Sequence, residues 1–394
     1  MKNIAIVGYL YSIGGTERSL IDFLNSIPRD RYIVTLFVLG DIGEFSNQIP
    51  SWIKIERIHP SSSKIKLSRQ IKSLQFVDGF RTILCAMKRA IDLKTGGSYY
   101  SYFQYHLLMN LYDDIDEYYD FVISWALPRS VENLFAVEKI KAKERVLWIH
   151  LDVTKYEGIQ ALKKIYYQYD RIVCVSRYCK NAFDSLFPEL AYKSYVLYNI
   201  IDIERIRLLA NEYSGIRNEK YINMITCGRL SKGKNPKYAI AISLKLLESG
   251  IKNFKWYFVG TGELLQDFKR EIHDNALEKN IILLDKQLNP YKYISDCDLL
   301  VQMSEYESFC LSLAEAQVLG VPCISTNFPS ASEIVEDGST GYIVDNNVDS
   351  LYEAISMLLR NKYFLDRISG NVSRSKLNAV GSFSSFEKMM DNLS

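Results

Sequence analysis

The stretch Met224-Ile225-Thr226-Cys227-Gly228-Arg229-Leu230-Ser231-Lys232-Gly233-Lys234-Asn235-Pro236 runs from an apolar strand, through a loop of glycines and cations, into the helix-length segment Lys237–Glu248. A strand that turns directly into a helix is half of a βαβ unit, and such units build parallel sheets. Arg229 and Lys234 then stand at the carboxyl edge of that sheet, where open α/β folds keep their crevices. Two cations beside glycines suit a pyrophosphate: arginine forks onto two oxygens and lysine supplies a point charge. A solvated basic loop is the plain alternative.

The same rhythm continues in both directions. The predicted strands before it are Ile4–Gly8, Ile33–Leu39, Ile53–Ile58, Phe121–Trp125, Val146–Ile149, Ile172–Val175 and Tyr195–Tyr198. With and after it come Met224–Cys227, Trp256–Val259, Ile281–Leu284, Leu299–Met303, Cys323–Ser325 and Tyr342–Val344. Most are continuous apolar runs without alternation, the pattern of strands covered on both faces. Two such series predict an α/β protein of two doubly wound parallel-sheet domains, 1–200 and 201–394. Their join is expected after Asn199, in the polar stretch Asp202–Tyr221. The tail from Val348 reads as helices ending in the Ser/Asn-rich segment Gly381–Ser394, which can return to the first domain.

Composition narrows the class. The 394 residues are 48% hydrophobic and 24% charged, as in an ordinary globular chain. A formal net charge of +2 argues against a nucleic-acid partner. No apolar run approaches the roughly 20 residues of a transmembrane helix, and Ile4–Val7 follows the start too soon for a signal peptide. Seven cysteines without Cys-x-x-Cys spacing, and four histidines, point to reduced thiols in a cytoplasmic protein and away from a metal site.

Two further strand-to-helix turns carry chemistry. In Gly8-Tyr9-Leu10-Tyr11-Ser12-Ile13-Gly14-Gly15-Thr16-Glu17-Arg18, Gly14 and Gly15 let backbone N–H groups approach a phosphate or sugar oxygen at a helix start. Ser304-Glu305-Tyr306-Glu307-Ser308-Phe309-Cys310-Leu311-Ser312-Leu313-Ala314-Glu315-Ala316 places Glu307 in a loop and Glu315 about one turn into the helix. Carboxylates there accept paired hydrogen bonds from sugar or ribose hydroxyls. Asp296-Cys297-Asp298 has Asp-x-Asp spacing but precedes a buried strand, so packing or capping is expected rather than metal binding. Gly260-Thr261-Gly262-Glu263 is a tight turn and a weak phosphate candidate.

Together these motifs resemble the retaining GT-B glycosyltransferases of family 4. The resemblance rests on Gly14-Gly15-Thr16-Glu17-Arg18, on Gly228-Arg229-Leu230 with Lys234 five residues beyond the arginine, and on Glu307-x7-Glu315-Ala316. Trp148-Ile149-His150-Leu151-Asp152, Val175-Ser176-Arg177, Tyr198-Asn199-Ile200-Ile201-Asp202, Asn289-Pro290-Tyr291 and Gly338-Ser339-Thr340-Gly341-Tyr342 complete the order. The look is that of bacterial enzymes building capsule, exopolysaccharide or wall polymers. The family's Glu-Gly-Phe-Gly is here Glu307-Ser308-Phe309-Cys310, its Asn-Pro is Asn199-Ile200, and a usual glycine is Asp285 or Lys286.

The resemblance implies two Rossmann-like domains facing a cleft, the acceptor mainly on the first and the nucleotide-sugar on the second. It implies a metal-independent hexosyltransferase of class EC 2.4 that needs no cofactor, with a UDP-sugar favoured as donor. Arg229 and Lys234 would stabilise the leaving pyrophosphate and Glu307 the anomeric carbon, while His150 would bond the donor sugar or acceptor. Gly14, Gly15, Asn199, Lys286, Ser308, Phe309, Cys310 and Leu311 would line the donor site, with Glu315 on the ribose. The acceptor would be a glycan or lipid-linked glycan. A non-catalytic glycosyltransferase-like partner subunit is the alternative, and an epimerase or phosphorylase on a similar fold a third.

One segment breaks the strand rhythm, about 61–119. Lys64–Lys94 holds eight basic and two acidic residues and an apolar stripe at helical spacing, followed by the run Tyr99–Tyr105. A helical lobe packing on its own domain is one reading. Docking on an anionic membrane surface, at the cytoplasmic face, is the other.

Overall fold

Every expected strand forms. The computed structural model describes residues 1–10, 14–43, 47–61, 109–374 and 379–391. The basic stretch Lys64–Lys94 and the tyrosine run after it lie outside the described residues. The chain divides into two units: Met1–Ile200 with Gly381–Ser394, and Ile201–Val380.

The first unit is a seven-stranded sheet. Its strands are β1 (Lys2–Leu10), β2 (Tyr32–Ile42), β3 (Lys54–Ile58), β4 (Ile115–Trp125), β5 (Ile140–Ile149), β6 (Arg171–Cys174) and β7 (Ser194–Val196). Their order is β3-β2-β1-β4-β5-β6-β7, and every pair is parallel. The second is six-stranded, with β8 (Ile222–Cys227), β9 (Phe254–Val259), β10 (Ile281–Leu283), β11 (Leu299–Gln302), β12 (Cys323–Thr326) and β13 (Gly341–Val344). Its order, β10-β9-β8-β11-β12-β13, repeats the pattern of the first, with the chain reversing direction across the sheet beside β8 as it does beside β1. These are two Rossmann-like parallel sheets.

Two strands are longer than the apolar runs that announced them. β4 opens at Ile115 and β5 at Ile140, and the two pair from those residues onward. The polar stretches Asp116–Glu117 and Lys141–Glu144 hid this extension, because there the strands lie half-exposed beyond the helices that cover the central sheet.

The unit boundary falls between Ile200 and Ile201, just before the polar stretch Asp202–Tyr221. The helix Ile203–Ala210 belongs to the second unit, buries Ile206 and packs on the helix Tyr291–Ser295. At the other end, Gly381–Ser394 belongs to the first unit. Its helix Phe383–Asp391 buries Phe383, Phe386 and Met390 against the first unit. Phe386 meets Phe23 edge-on at 5.5 Å and Phe383 meets Tyr32 at 5.2 Å. The buried Arg171 donates to the Met389 and Met390 carbonyls, which the helix end leaves open. The entry of this segment needs glycine: a Cβ on Gly381 would stand 1.9 Å from the Tyr198 carbonyl oxygen.

Each unit has its own apolar centre. Trp256, Phe258 and Phe268 anchor the second, and Phe23, Trp125 and Trp148 the first. Among the described residues no helix is long and apolar enough to cross a membrane.

Candidate active site

Two loops meet at the carboxyl edge of the second sheet. After β8 the chain passes Gly228, Arg229 and Leu230, makes one 3-10 turn at Lys232–Lys234, and reaches the helix Tyr238–Glu248 through Asn235. After β11, Met303–Cys310 leads into the helix Leu311–Val318. The loops are laced together by backbone and side chain. The Glu305 amide donates to the Gly233 carbonyl at 2.8 Å, and Asn235 Nδ2 to the Met303 carbonyl at 3.1 Å.

A third turn braces the first loop from behind. The Leu230 amide donates to Thr261, and the Leu264 amide donates back to Leu230, both at 3.0 Å. The approach is so close that a Cβ on Gly260 would stand 1.8 Å from the Gly228 carbonyl oxygen. Gly260-Thr261-Gly262-Glu263, a phosphate candidate by sequence, is committed here to holding the arginine-bearing loop.

Arg229 and Lys234 line one small recess together with Thr226, Cys227, Pro236, Gln302 and Met303. Arg229 is exposed. Lys234 is half-buried and forms an ion pair with Glu307. Burial alone would depress the ammonium's pKa, but the Glu307 carboxylate outweighs it and the Lys234 pKa is raised. The same oxygen, Glu307 Oε1, accepts from Gln302 Nε2 at 3.0 Å and from Ser304 Oγ at 2.9 Å. Ser330 Oγ donates to the Glu307 carbonyl and fixes the backbone beneath it.

Glu315, buried on the first turns of Leu311–Val318, accepts from the hydroxyl of the fully buried Tyr291 at 3.1 Å. Ser308 is buried and shares a hydrogen bond with Tyr306 at 2.7 Å. Phe309 and Cys310 are buried too, and Leu311 opens the helix. The Cys310 thiol is pushed up to about 12, first by burial and then by the Glu307 charge, so it stays protonated at neutral pH. Lys286 is exposed just beyond Asp285, whose φ of 53° is the left-handed conformation that glycine adopts without strain.

Gly14, Gly15, His150 and Asn199 belong to the first unit. Gly14 precedes the helix Gly15–Ser26. Trp125 joins this turn to the histidine: its Nε1 donates to the Thr16 carbonyl at 3.2 Å, and its ring lies 4.8 Å from that of His150. Burial lowers the His150 pKa to about 3, so the ring is neutral. Its buried Nε2 has no hydrogen-bond partner among the described residues. Asn199 is buried, and its carbonyl accepts from the Gly381 amide at 3.0 Å, which ties it to the returning C-terminal segment.

The Asp-x-Asp pair is engaged in the fold. Asp298 Oδ2 accepts from the Asn223 amide at 2.7 Å and Asp296 from Ser214. No group of His, Cys, Asp and Glu among the described residues is arranged to hold a metal. Sequence reasoning gave no role to Gln302, Ser304 or Tyr291, although Ser304 and Tyr291 stand within the motifs it quoted. Gln302 left a signal of its own, a polar residue at the end of the apolar run Leu299-Leu300-Val301.

The two sheets and their order define a GT-B protein. HepE of Anabaena in complex with UDP-glucose superposes with a TM-score of 0.68 at 17% identity, over 100% of this chain and 99% of that one. TarM of S. aureus gives 0.69 at 13% identity, over 99% of each. Residues 212–374 match the family model described as glycosyl transferases group 1. The family match falls within the second unit, Ile201–Val380, whereas the structural matches span both units and show the fold.

Two curated relatives are similar over part of their length. One is the N-acetylgalactosamine-N,N'-diacetylbacillosaminyl-diphospho-undecaprenol 4-alpha-N-acetylgalactosaminyltransferase of Campylobacter jejuni, 30% identical over 43% of this chain and 45% of that protein. The other is the UDP-Gal:alpha-D-GlcNAc-diphosphoundecaprenol alpha-1,3-galactosyltransferase of Escherichia coli, 26% identical over 50% of this chain and 52% of that protein. The chain thus spans about half the length of the curated relatives it matches.

Proposed function

We propose that the protein is a retaining, metal-independent glycosyltransferase of family 4. It would move a hexosyl group from a UDP-sugar to a hydroxyl of a lipid-linked glycan in bacterial surface polysaccharide synthesis. The observation that carries this reading is the convergence of Arg229 and Lys234 at one recess on the carboxyl edge of the second sheet, with Glu307 paired to the lysine. That edge is where nucleotide phosphates bind in doubly wound folds.

In the proposed reaction the bond from the anomeric carbon to the UDP oxygen breaks, and the acceptor oxygen bonds to the same face of that carbon. The acceptor's proton passes to the departing phosphate. Charge therefore grows on the pyrophosphate, and Arg229 and Lys234 are placed to stabilise it, the task at which fixed charge is most effective. Lys234 has three donors, so its pair with Glu307 leaves others for phosphate oxygens. Glu307 would stabilise positive charge at the anomeric carbon and Glu315 would bind the ribose hydroxyls. The neutral His150, whose Nε2 has no partner among the described residues, can bond a sugar hydroxyl. Metal independence is supported by two cations where a metal would otherwise neutralise phosphate, and by the engagement of Asp296 and Asp298 with Ser214 and Asn223.

The names of the two curated relatives carry undecaprenyl diphosphate acceptors and alpha linkages, which supports a lipid-linked acceptor and retention here. The excess of basic residues in Lys64–Lys94 supports a location at the anionic inner face of the membrane.

Titration with nucleoside diphosphates, followed by turnover of the matching nucleotide-sugar in EDTA, tests the reading. We expect UDP to bind, and the NMR coupling of the product's anomeric proton to match that of the donor. No affinity for any nucleoside diphosphate, or activity lost to EDTA and restored by magnesium, contradicts it.

A further inference from the structure

Glu307 does not hold its position through Lys234 alone. Gln302, the last residue of β11, is 2% exposed and lines the recess with Arg229 and Lys234. Its amide nitrogen donates to Glu307 Oε1 at 3.0 Å and to Ser304 Oγ at 2.7 Å. Ser304 Oγ in turn donates to the same Glu307 oxygen at 2.9 Å. On the other side of the amide, Ser312 Oγ donates to Gln302 Oε1 at 3.3 Å. These partners fix which way the amide faces: its two donors meet two acceptors, and its oxygen meets a hydroxyl.

We propose that Gln302 is the positioning residue of this site, locking one oxygen of Glu307, and through it Lys234, in the geometry that donor turnover requires. The inference rests on the transferase reading above and deepens it. A flexible ammonium and a flexible carboxylate meet in many geometries. A buried amide with both donors spent removes that freedom, because leaving any of them unmet at this depth is costly. The strand end supplies the rigidity, since Thr326 of the neighbouring β12 donates to the Ser304 and Gln302 carbonyls. Ser312 sits in the first turn of the helix that carries Glu315, so the same amide also ties that helix to the Glu307 loop.

Replacement by methionine keeps length and burial and removes the amide. We expect Gln302→Met to bind UDP like the wild type but to lose about 10- to 100-fold in kcat, since misplacing a reacting group by about 1 Å costs on the order of 100-fold. KM for the donor should change far less. The decisive comparison is in a Glu307→Gln background, where the same Gln302→Met change should cost no more than about threefold, because without the Glu307 charge its placement no longer governs turnover. Ser312→Ala, which releases the amide oxygen and leaves the core intact, should lower kcat in the same direction and also lose its effect beside Glu307→Gln. It serves as the test if Gln302→Met fails to fold.

Turnover is read as release of nucleoside diphosphate from the nucleotide-sugar the wild type uses fastest. Wild-type kcat in both variants, or equal losses with and without Glu307→Gln, overturns the positioning role while the transferase reading stands. A wild-type protein that binds no nucleoside diphosphate overturns the transferase reading, and this inference with it.

Discussion

Lys234 and Glu307, 73 residues apart in sequence, form an ion pair that joins the loop after β8 to the loop after β11. The pair does two jobs, fixing two chain segments and presenting charge at a recess, and these separate experimentally. Lys234→Ala leaves the mostly buried Glu307 carboxylate without its counter-ion. It should lower stability by about 1–3 kcal/mol and also slow turnover. Arg229→Ala removes an exposed cation, so we expect turnover to fall by the equivalent of about 2–4 kcal/mol with the melting temperature unchanged. Paired thermal-shift and rate measurements on both variants check this. The Lys234 pKa is raised above 10.5, so the pair's contribution is full at neutral pH and fades only as pH rises through that higher value.

His150 predicts a dependence at the acid side. Its pKa falls from 6.5 to about 3 on folding because the ring is buried. The unfolded chain therefore binds a proton between those values that the folded protein does not. Stability should be full above pH 6.5 and decline toward pH 3. Urea unfolding at pH 7 and pH 4.5 should show a smaller decline in His150→Asn than in the wild type.

Gly260 offers a test of the loop brace. Its φ is 149°, and any Cβ would overlap the Gly228 carbonyl oxygen. Gly260→Ala should cost about 2–5 kcal/mol and displace the arginine-bearing loop. Gly250, with φ at 83° but open space around it, should cost only about 1–2 kcal/mol as alanine. Comparable melting temperatures for the two variants would discount the brace.

The C-terminal helix should behave as core of the first unit. Phe386 is fully buried and stacks near Trp148 at 6.1 Å. We expect Phe386→Ala to cost about 3–5 kcal/mol, as truncation of a buried aromatic does. Loss of near-ultraviolet circular dichroism from the Trp125–Trp148 pair, whose rings lie 4.2 Å apart, should accompany it.

All the strands were legible because parallel strands covered on both faces must be written as apolar runs, as in Leu147–Ile149 and Leu299–Val301. Their exposed extensions at Ile115 and Lys141 were not, since half-covered backbone places no demand on side-chain polarity. The cations and glutamates could be named from glycine-flanked turns. Their pairing could not, because Lys234 and Glu307 meet through sheet topology and no spacing encodes that meeting. Phe383, Phe386 and Met390 do repeat at helical spacing, but serines and asparagines around them masked the stripe. The backbone carbonyl of Asn199 also holds Gly381, a contact visible only when both ends of the chain are in place.

That last contact orders events in time. The second unit is one unbroken stretch, whereas the first is completed by residues made after the second is finished. On the ribosome Phe23, Tyr32 and Trp148 therefore wait uncovered while Ile201–Val380 is synthesised, and only then does Phe383–Asp391 close over them. A nascent chain in that interval exposes aromatic surface of the kind chaperones bind. Release from such helpers should coincide with emergence of the last helix rather than with completion of the first sheet.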